Sequence, residues 1–95
     1  MERRLELKEI EKISKALGDP YRLRIMEAIN KQKDWTQCSC ILEMFDLAQS
    51  TVSHHIKQLV DADLLITEKD GRQCKYEVNK EVFSTYINFL NPFKG

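Results

Sequence analysis

Apolar residues near the start of the chain recur with the period of an amphipathic helix. Between residues 5 and 17, Ile10, Ile13 and Leu17 lie on one predicted helical face. Gly18 follows directly, and glycine commonly ends a helix because it adopts backbone conformations that other residues avoid. The pattern therefore predicts a first helix over residues 5–17.

Two further helices are predicted after the first. Asp19 and Pro20 are typical of an N-cap and a first helical position, and this second helix is expected to end near Lys31 or Lys33. A third, short helix fits residues 37–45. The apolar positions are Leu23, Ile25, Met26 and Ile29 in the second helix, and Ile41, Leu42 and Phe45 in the third.

A fourth helix, from Gln49 to Ala62, combines an apolar stripe with a polar face. Only about three residues, Asp46 to Ala48, separate it from the third helix. Two helices joined so closely, the second with a polar face, indicate a helix-turn-helix. The predicted stripe is Val52, Ile56, Leu59 and Val60, and the polar face is Gln49, Ser50, Ser53, His54, Lys57 and Asp61.

Two strand-like runs, LLITEK and RQCKYEVN, follow on either side of Asp70-Gly71. Asp-Gly between such runs predicts a hairpin with a type I′ turn, which requires positive φ at both central residues. A last helix carries Val82, Phe83, Tyr86, Ile87 and Leu90 on one face. The whole order predicts one domain over residues 1–95, mainly α with a small β-hairpin wing (class α+β): a winged helix-turn-helix.

Composition is compatible with this fold but does not by itself indicate DNA binding. The 95 residues are 42% hydrophobic and 32% charged, as in ordinary folded proteins, and the formal net charge is zero. A duplex-binding protein neutralises phosphates, so its basic residues would have to be concentrated on one face. The sequence shows neither a signal peptide nor an apolar run of membrane-spanning length, and we expect a cytoplasmic protein.

The polar face of the fourth helix and the hairpin tip have the chemistry of a DNA reader. Gln, Ser, His and Lys side chains present the donors and acceptors that identify base pairs in the major groove. Around the hairpin tip, Lys69, Arg72 and Lys75 suit a wing that contacts the DNA backbone or minor groove. Each element alone is also typical of an ordinary solvated surface, and together they favour duplex DNA as the partner.

Cys38 and Cys40 form a second candidate site, because two close thiolates bind soft ions. A regular helix directs residues i and i+2 about 200° apart, so the pair would have to lie in a non-helical turn, with Thr36 as the N-cap of the third helix. Cys74, on the second wing strand, is the remaining thiol. We expect the wing to be remote from the third helix, which leaves Cys74 outside the site.

Three separated segments resemble the ArsR/SmtB family of winged-helix repressors: KALGDPYRLRIMEAI, LAQSTVSHHIKQLVDADLL and EKDGRQCKYEVN. The resemblance covers roughly residues 10–90 and implies a homodimer that binds an operator and leaves it when an inducer binds. The family's third-helix metal site carries a similar Cys-x-Cys pair, although here Cys40 occupies the place of the family's aspartate. The residues that the resemblance implies to contact DNA are Gln49, Ser50, Thr51, Ser53, His54 and Lys57, with Arg72 and Lys75 on the wing.

The first and last helices carry more apolar surface than one helix-turn-helix can cover, which predicts dimerisation through both of them. We therefore expect a sequence-specific repressor that requires no cofactor and that a thiol-binding ion releases from its operator. The candidate inducers are trivalent arsenic or antimony, cadmium, zinc and lead, bound by Cys38 and Cys40. The alternatives are a repressor that senses thiol oxidation through the same cysteines and a protein-interaction winged helix. The sequence offers no pairing of a nucleophile with a general base that would indicate an enzyme.

Overall fold

The computed structural model describes residues 5–32 and 34–95, and its order of elements confirms the predicted winged helix-turn-helix. None of the helices in these two ranges is long and apolar enough to cross a membrane. In chain order the elements are α1 (Leu7–Ala16), α2 (Pro20–Lys31), β1 (Thr36–Gln37), α3 (Cys38–Met44), α4 (Gln49–Asp61), β2 (Leu65–Asp70), β3 (Gln73–Val78) and α5 (Lys80–Leu90), followed by a short 3₁₀-helix (Asn91–Lys94).

The predicted start of α2 is confirmed in detail. The Asp19 carboxylate accepts hydrogen bonds from the backbone N–H groups of Tyr21 and Arg22, at 2.8 and 3.2 Å, and Pro20 occupies the first helical position. Although partial desolvation opposes them, these two hydrogen bonds hold the pKa of Asp19 below its usual value. The helix ends at Lys31; the alternative end near Lys33 lies outside the described residues.

The sheet contains a strand that the sequence pattern did not predict. β1 pairs antiparallel with β3, so the order of strands is β1-β3-β2. Thr36 therefore lies in a strand, buried to 3% exposure, and the prediction that it caps α3 is wrong: Gln37 precedes that helix and its side chain makes no capping bond. A two-residue strand is too short to display an alternating pattern.

The hairpin forms as predicted, but its turn lies one residue later. Asp70 pairs with Gln73, so the two loop residues are Gly71 and Arg72 rather than Asp70 and Gly71. Gly71 has a φ of 67° at the first loop position, which a residue with a side chain rarely adopts. Glycine at this position is typical of a type II′ turn, and the predicted type I′ turn at Asp70-Gly71 is wrong.

One hydrophobic core joins the helices to the inner face of the sheet. The apolar stripe of α4 is directed into it, as predicted, with Val52 and Leu59 fully buried. Leu23 of α2 differs from the prediction, because its side chain is 48% exposed and lines a groove between α2 and α5. The most deeply buried side chains are Ile13, Ile25, Ile41, Val52, Leu59, Leu64 and Val82.

Arg22, near the start of α2, links the end of α1 to the middle of α4. Its Nε donates to the carbonyl oxygen of Ala16 at 2.6 Å and its Nη2 to that of Lys15 at 3.2 Å, at the end of α1, where carbonyls lack partners within the helix. Its Nη1 lies 3.2 Å from Nδ1 of His55 on α4. One side chain therefore fixes α4 relative to α1 and α2.

Candidate nucleic-acid interface and thiol sites

The outward face of α4 is polar and open to solvent. Its inward residues are buried against α1, α2, α3 and β2, so the helix is held by packing on one side while its other side is exposed to solvent. His54 contacts Gln58 on this face through a long Nε2–Nε2 approach of 3.5 Å. All six predicted DNA-facing residues of this helix are exposed: Gln49, Ser50, Thr51, Ser53, His54 and Lys57.

The wing places its predicted basic residues in two different settings. Lys69 and Arg72 are exposed at the tip. Lys75 is half-buried, opposite Glu68 on β2, with its Nζ 5.6 Å from the centre of the Trp35 ring. This cation–π contact holds the lysine stem against the sheet. Of the two wing residues predicted to contact DNA, Arg72 and Lys75, Arg72 is therefore the freer.

Cys38 and Cys40 lie within α3, as its first and third residues. The Cys38 side chain is half-buried and packs against the core, whereas that of Cys40 is exposed. The divergence follows from the 100° rotation per helical residue, and no non-helical turn brings the pair together. Binding one ion with both sulfurs would require the first turn of α3 to unwind.

The third thiol is closer to Cys38 than predicted. α3 contacts β3, and the ionised forms of Cys38 and Cys74 repel each other. Burial, together with this repulsion, raises the pKa of Cys38, although a hydrogen bond from the Tyr76 hydroxyl opposes the rise. The prediction that the wing is remote from the third helix is therefore wrong, because β1 attaches the start of α3 to β3.

Tyr76 lies at the centre of this arrangement, and the sequence reasoning did not single it out. Burial is the main reason that its pKa rises to about 12; the neighbouring thiols Cys38 and Cys74 add to the rise, and a hydrogen bond from Thr67 opposes it. The alternation of Cys74 and Tyr76 along β3 is the signal that would have identified a shared face.

A small cavity of about 210 Å³ lies between this thiol region and α4. The start of α3 and the inner face of the wing lie on one side of the cavity, and α4 lies on the other. Ser53 and Lys57 line it from α4, so a change in the cavity reaches two of the predicted DNA contacts directly. The full lining is Cys38, Ser53, Ile56, Lys57, Val60, Thr67 and Tyr76.

The last helix leaves apolar side chains exposed. α5 is fixed to α1 by a hydrogen bond of 2.8 Å between the hydroxyls of Ser14 and Tyr86, and the inner residues of both helices are buried in the chain's own core. Part of each predicted apolar stripe is therefore already covered. The exposed apolar residues at the two ends of the chain are Leu7, Ile87, Phe89, Leu90 and Phe93.

Comparison with known proteins gives both sequence and structural matches. The family model described as a helix-turn-helix domain matches residues 17–68. The arsenical resistance operon repressor of Staphylococcus xylosus is 41% identical over 85 residues, which cover 88% of this chain and 78% of that protein. The arsenical resistance operon repressor of Staphylococcus aureus is 38% identical over 88 residues, covering 92% and 82%.

Solved structures share the fold over nearly the whole chain. A crystal structure of an ArsR family transcriptional regulator superposes with a TM-score of 0.83 at 24% identity, covering 97% of this chain and 93% of the other. A homodimeric winged helix-turn-helix DNA-binding domain from Mycobacterium bovis, solved by NMR, gives a TM-score of 0.73 at 17% identity, covering 93% and 81%. At these identities the structural matches establish the fold alone.

Proposed function

The chain belongs to the ArsR/SmtB family of winged helix-turn-helix transcriptional repressors, and from this premise we propose that it binds operator DNA as a homodimer in the cytoplasm and leaves it on binding trivalent arsenic. The observation that carries the proposal is the exposed polar face of α4, whose other side is packed against the core, beside a wing with exposed basic residues. A helix of this kind enters the major groove, and the wing follows the backbone.

The proposed roles differ between α4 and the wing. Gln49 and His54 are assigned to base edges, because amide and imidazole groups read donor and acceptor patterns. Lys57, Arg72 and Lys75 are assigned to phosphates, which position the protein without reading sequence. The hydroxyls of α4 serve either purpose and complete the interface: Ser50, Thr51 and Ser53.

Dimerisation is supported by the exposed apolar side chains at the two ends of the chain. Ile87 is 53% exposed and Phe93 77% exposed, which is unfavourable for large apolar groups in water. We propose that α1 and α5 meet their twofold-related copies and cover these groups. The Mycobacterium bovis structure is described as homodimeric, so the fold accommodates a twofold interface.

The inducer is proposed from the two named relatives and from the thiols at the start of α3. Both relatives are arsenical resistance operon repressors, and trivalent arsenic is a soft ion that binds thiolates. Cys38 and Cys40 are the ligand pair that the sequence motif indicates, with unwinding of the first turn of α3 as the accompanying change. No resident cofactor is needed for DNA binding.

The proposal is tested in two stages with the reduced full chain. Selection from a random duplex library is expected to enrich a near-palindrome whose half-sites lie about one helical turn apart. Fluorescence anisotropy of the selected duplex is then followed during titration with arsenite, with zinc as the comparison ion. Release by arsenite supports the proposal. Failure to enrich any sequence contradicts operator binding, and an arsenite-insensitive complex contradicts the inducer.

A further inference from the structure

The strand register brings two thiols from different elements together. Thr36 pairs with Tyr76 and Gln37 with Lys75, and α3 begins at the next residue, Cys38, so extending this register by one step sets Cys38 against Cys74. Directly opposed residues of antiparallel strands have Cα atoms about 4.5–5.5 Å apart. That separation lies within the range over which two cysteines can be bridged.

The two thiols also share one face of the sheet. Residues two apart on a strand point to the same side, so Cys74 lies on the side of Tyr76. Tyr76 faces the cavity beneath α4, which Cys38 also lines. Both cysteines are half-buried and pack against the core. Cys40 is exposed instead, on another side of α3.

We infer that Cys38 and Cys74, rather than Cys38 and Cys40, are the two thiols that bind the trivalent arsenical. The inference rests on the proposed function for the identity of the ion and on the register for the identity of the ligands. It requires no unwinding of α3, because Cys38 and Cys74 come from different elements and both pack against the core near Tyr76.

The reaction is a condensation without redox change. Arsenous acid, As(OH)₃, reacts with two thiols to give a dithiolate that retains one hydroxyl, and two water molecules leave. Two As–S bonds form, two As–O and two S–H bonds break, and each thiol proton leaves with a hydroxyl. Among the described residues, no group of three or more His, Cys, Asp or Glu side chains is placed so that it could hold a metal ion.

The two thiols, Cys38 and Cys74, lie close to the elements that are proposed to contact DNA, α4 and the wing. An arsenic bridge would join the start of α3 to the wing strand, beside a cavity that Ser53 and Lys57 line from α4. The wing and α4 must contact DNA at the same time. Fixing β3 to α3 in a new geometry would change the position of the wing relative to α4, and so weaken DNA binding. A coupling of this kind typically changes affinity by about 5- to 150-fold, and the same factor applies to arsenic affinity.

Three single variants of the reduced full chain separate the two ligand pairs: Cys38→Ser, Cys40→Ser and Cys74→Ser. Bound arsenic is measured by intact mass spectrometry under non-denaturing conditions after addition of arsenite, and operator release by anisotropy. We expect Cys40→Ser to retain the arsenic adduct and operator release, and the other two variants to lose both. Retention by Cys74→Ser with loss by Cys40→Ser would overturn the inference.

Separate controls distinguish loss of folding from loss of arsenic binding, and arsenic binding from operator release. Each variant is melted, and Cys74→Ala replaces Cys74→Ser if the hydroxyl destabilises the wing; loss of the adduct from a folded Cys74→Ala chain supports the inference equally. If the wild-type chain forms the adduct through Cys38 and Cys74 but remains on its operator, the proposed induction fails while the site stands. If Cys40 proves necessary for arsenite to release the operator, the assignment of Cys38 and Cys74 as ligands is wrong, while the proposed induction by arsenic is supported.

Discussion

Replacing Arg22 by alanine removes three contacts at once. The guanidinium donates to the carbonyls of Ala16 and Lys15 at 2.6 and 3.2 Å and lies 3.2 Å from the imidazole of His55. In the variant the Ala16 carbonyl loses the guanidinium as its donor, the Lys15 carbonyl keeps the backbone N–H of Gly18 at 3.2 Å, and His55 loses its link to α2. The substitution therefore loosens α4 from the two helices that support it.

The loss of stability in Arg22→Ala follows from the number of hydrogen bonds removed and from their exposure to solvent. A hydrogen bond to a charged group contributes about 1.5–3 kcal/mol when well protected. Arg22 is only half-buried, so solvent competes for its guanidinium and the released carbonyls partly rehydrate. We expect Arg22→Ala to lower the free energy of unfolding by about 2–4 kcal/mol. For a domain of this size that corresponds to a fall in Tm on the order of 10–30 °C.

Urea and thermal unfolding followed by circular dichroism measure the effect. The matched control is Arg24→Ala, an exposed arginine on the same helix, for which a change within about 0.5 kcal/mol is expected. Arg22→Lys should recover only a fraction of the loss, because an ammonium lacks the forked geometry that reaches both carbonyls and His55. Equal stabilities of Arg22→Ala and Arg24→Ala would refute the account of this contact.

Three other predictions concern the DNA face, the dimer and the wing. Gln49→Ala should relax base preference at a cost of about 1–3 kcal/mol, whereas Arg72→Ala should weaken binding to all duplexes alike and flatten the salt dependence; the reverse pattern in anisotropy would contradict the assignment. Ile87→Glu should convert the dimer to a monomer in sedimentation, and an unchanged dimer would place the interface elsewhere. Tyr76 has its pKa raised from 10 to about 12, so its contribution to stability is complete below about pH 10 and is lost as the pH rises towards about 12. In urea unfolding, the free energy of unfolding of Tyr76→Phe should not fall between about pH 10 and pH 12 as that of the wild-type chain does. The same pH profile in both chains would contradict the role of Tyr76.

Local features of the fold were predictable because they depend on near neighbours. The start of α2 follows from Asp19 and Pro20, whose capping and fixed φ act within one turn. The stripe of α4 follows from helical periodicity, and its polar face is exposed for the same reason. The turn was misplaced by one residue because both Asp70-Gly71 and Gly71-Arg72 give glycine a loop position, and only strand pairing decides between them.

The thiol region was not predictable, because it depends on contacts between distant segments. β1 is two residues long, too short for any pattern, and it sets the register that places Cys38 beside Cys74. The pair is 36 positions apart in the sequence, and nothing local relates one cysteine to the other. For the terminal helices, periodicity identified the apolar faces but not how far the chain's own core covers them, which the packing of Ile13 and Tyr86 determines.

The central claim is that the exposed face of α4 and the wing bind a specific duplex. Its most direct test is the affinity of the reduced chain for its selected operator and for a scrambled duplex of equal length, measured by anisotropy between roughly 50 and 200 mM salt. We predict a linear fall of log affinity with log salt for both duplexes and a preference for the operator of at least about 10³. Equal affinities for the two duplexes, or binding that salt does not change, would contradict the claim.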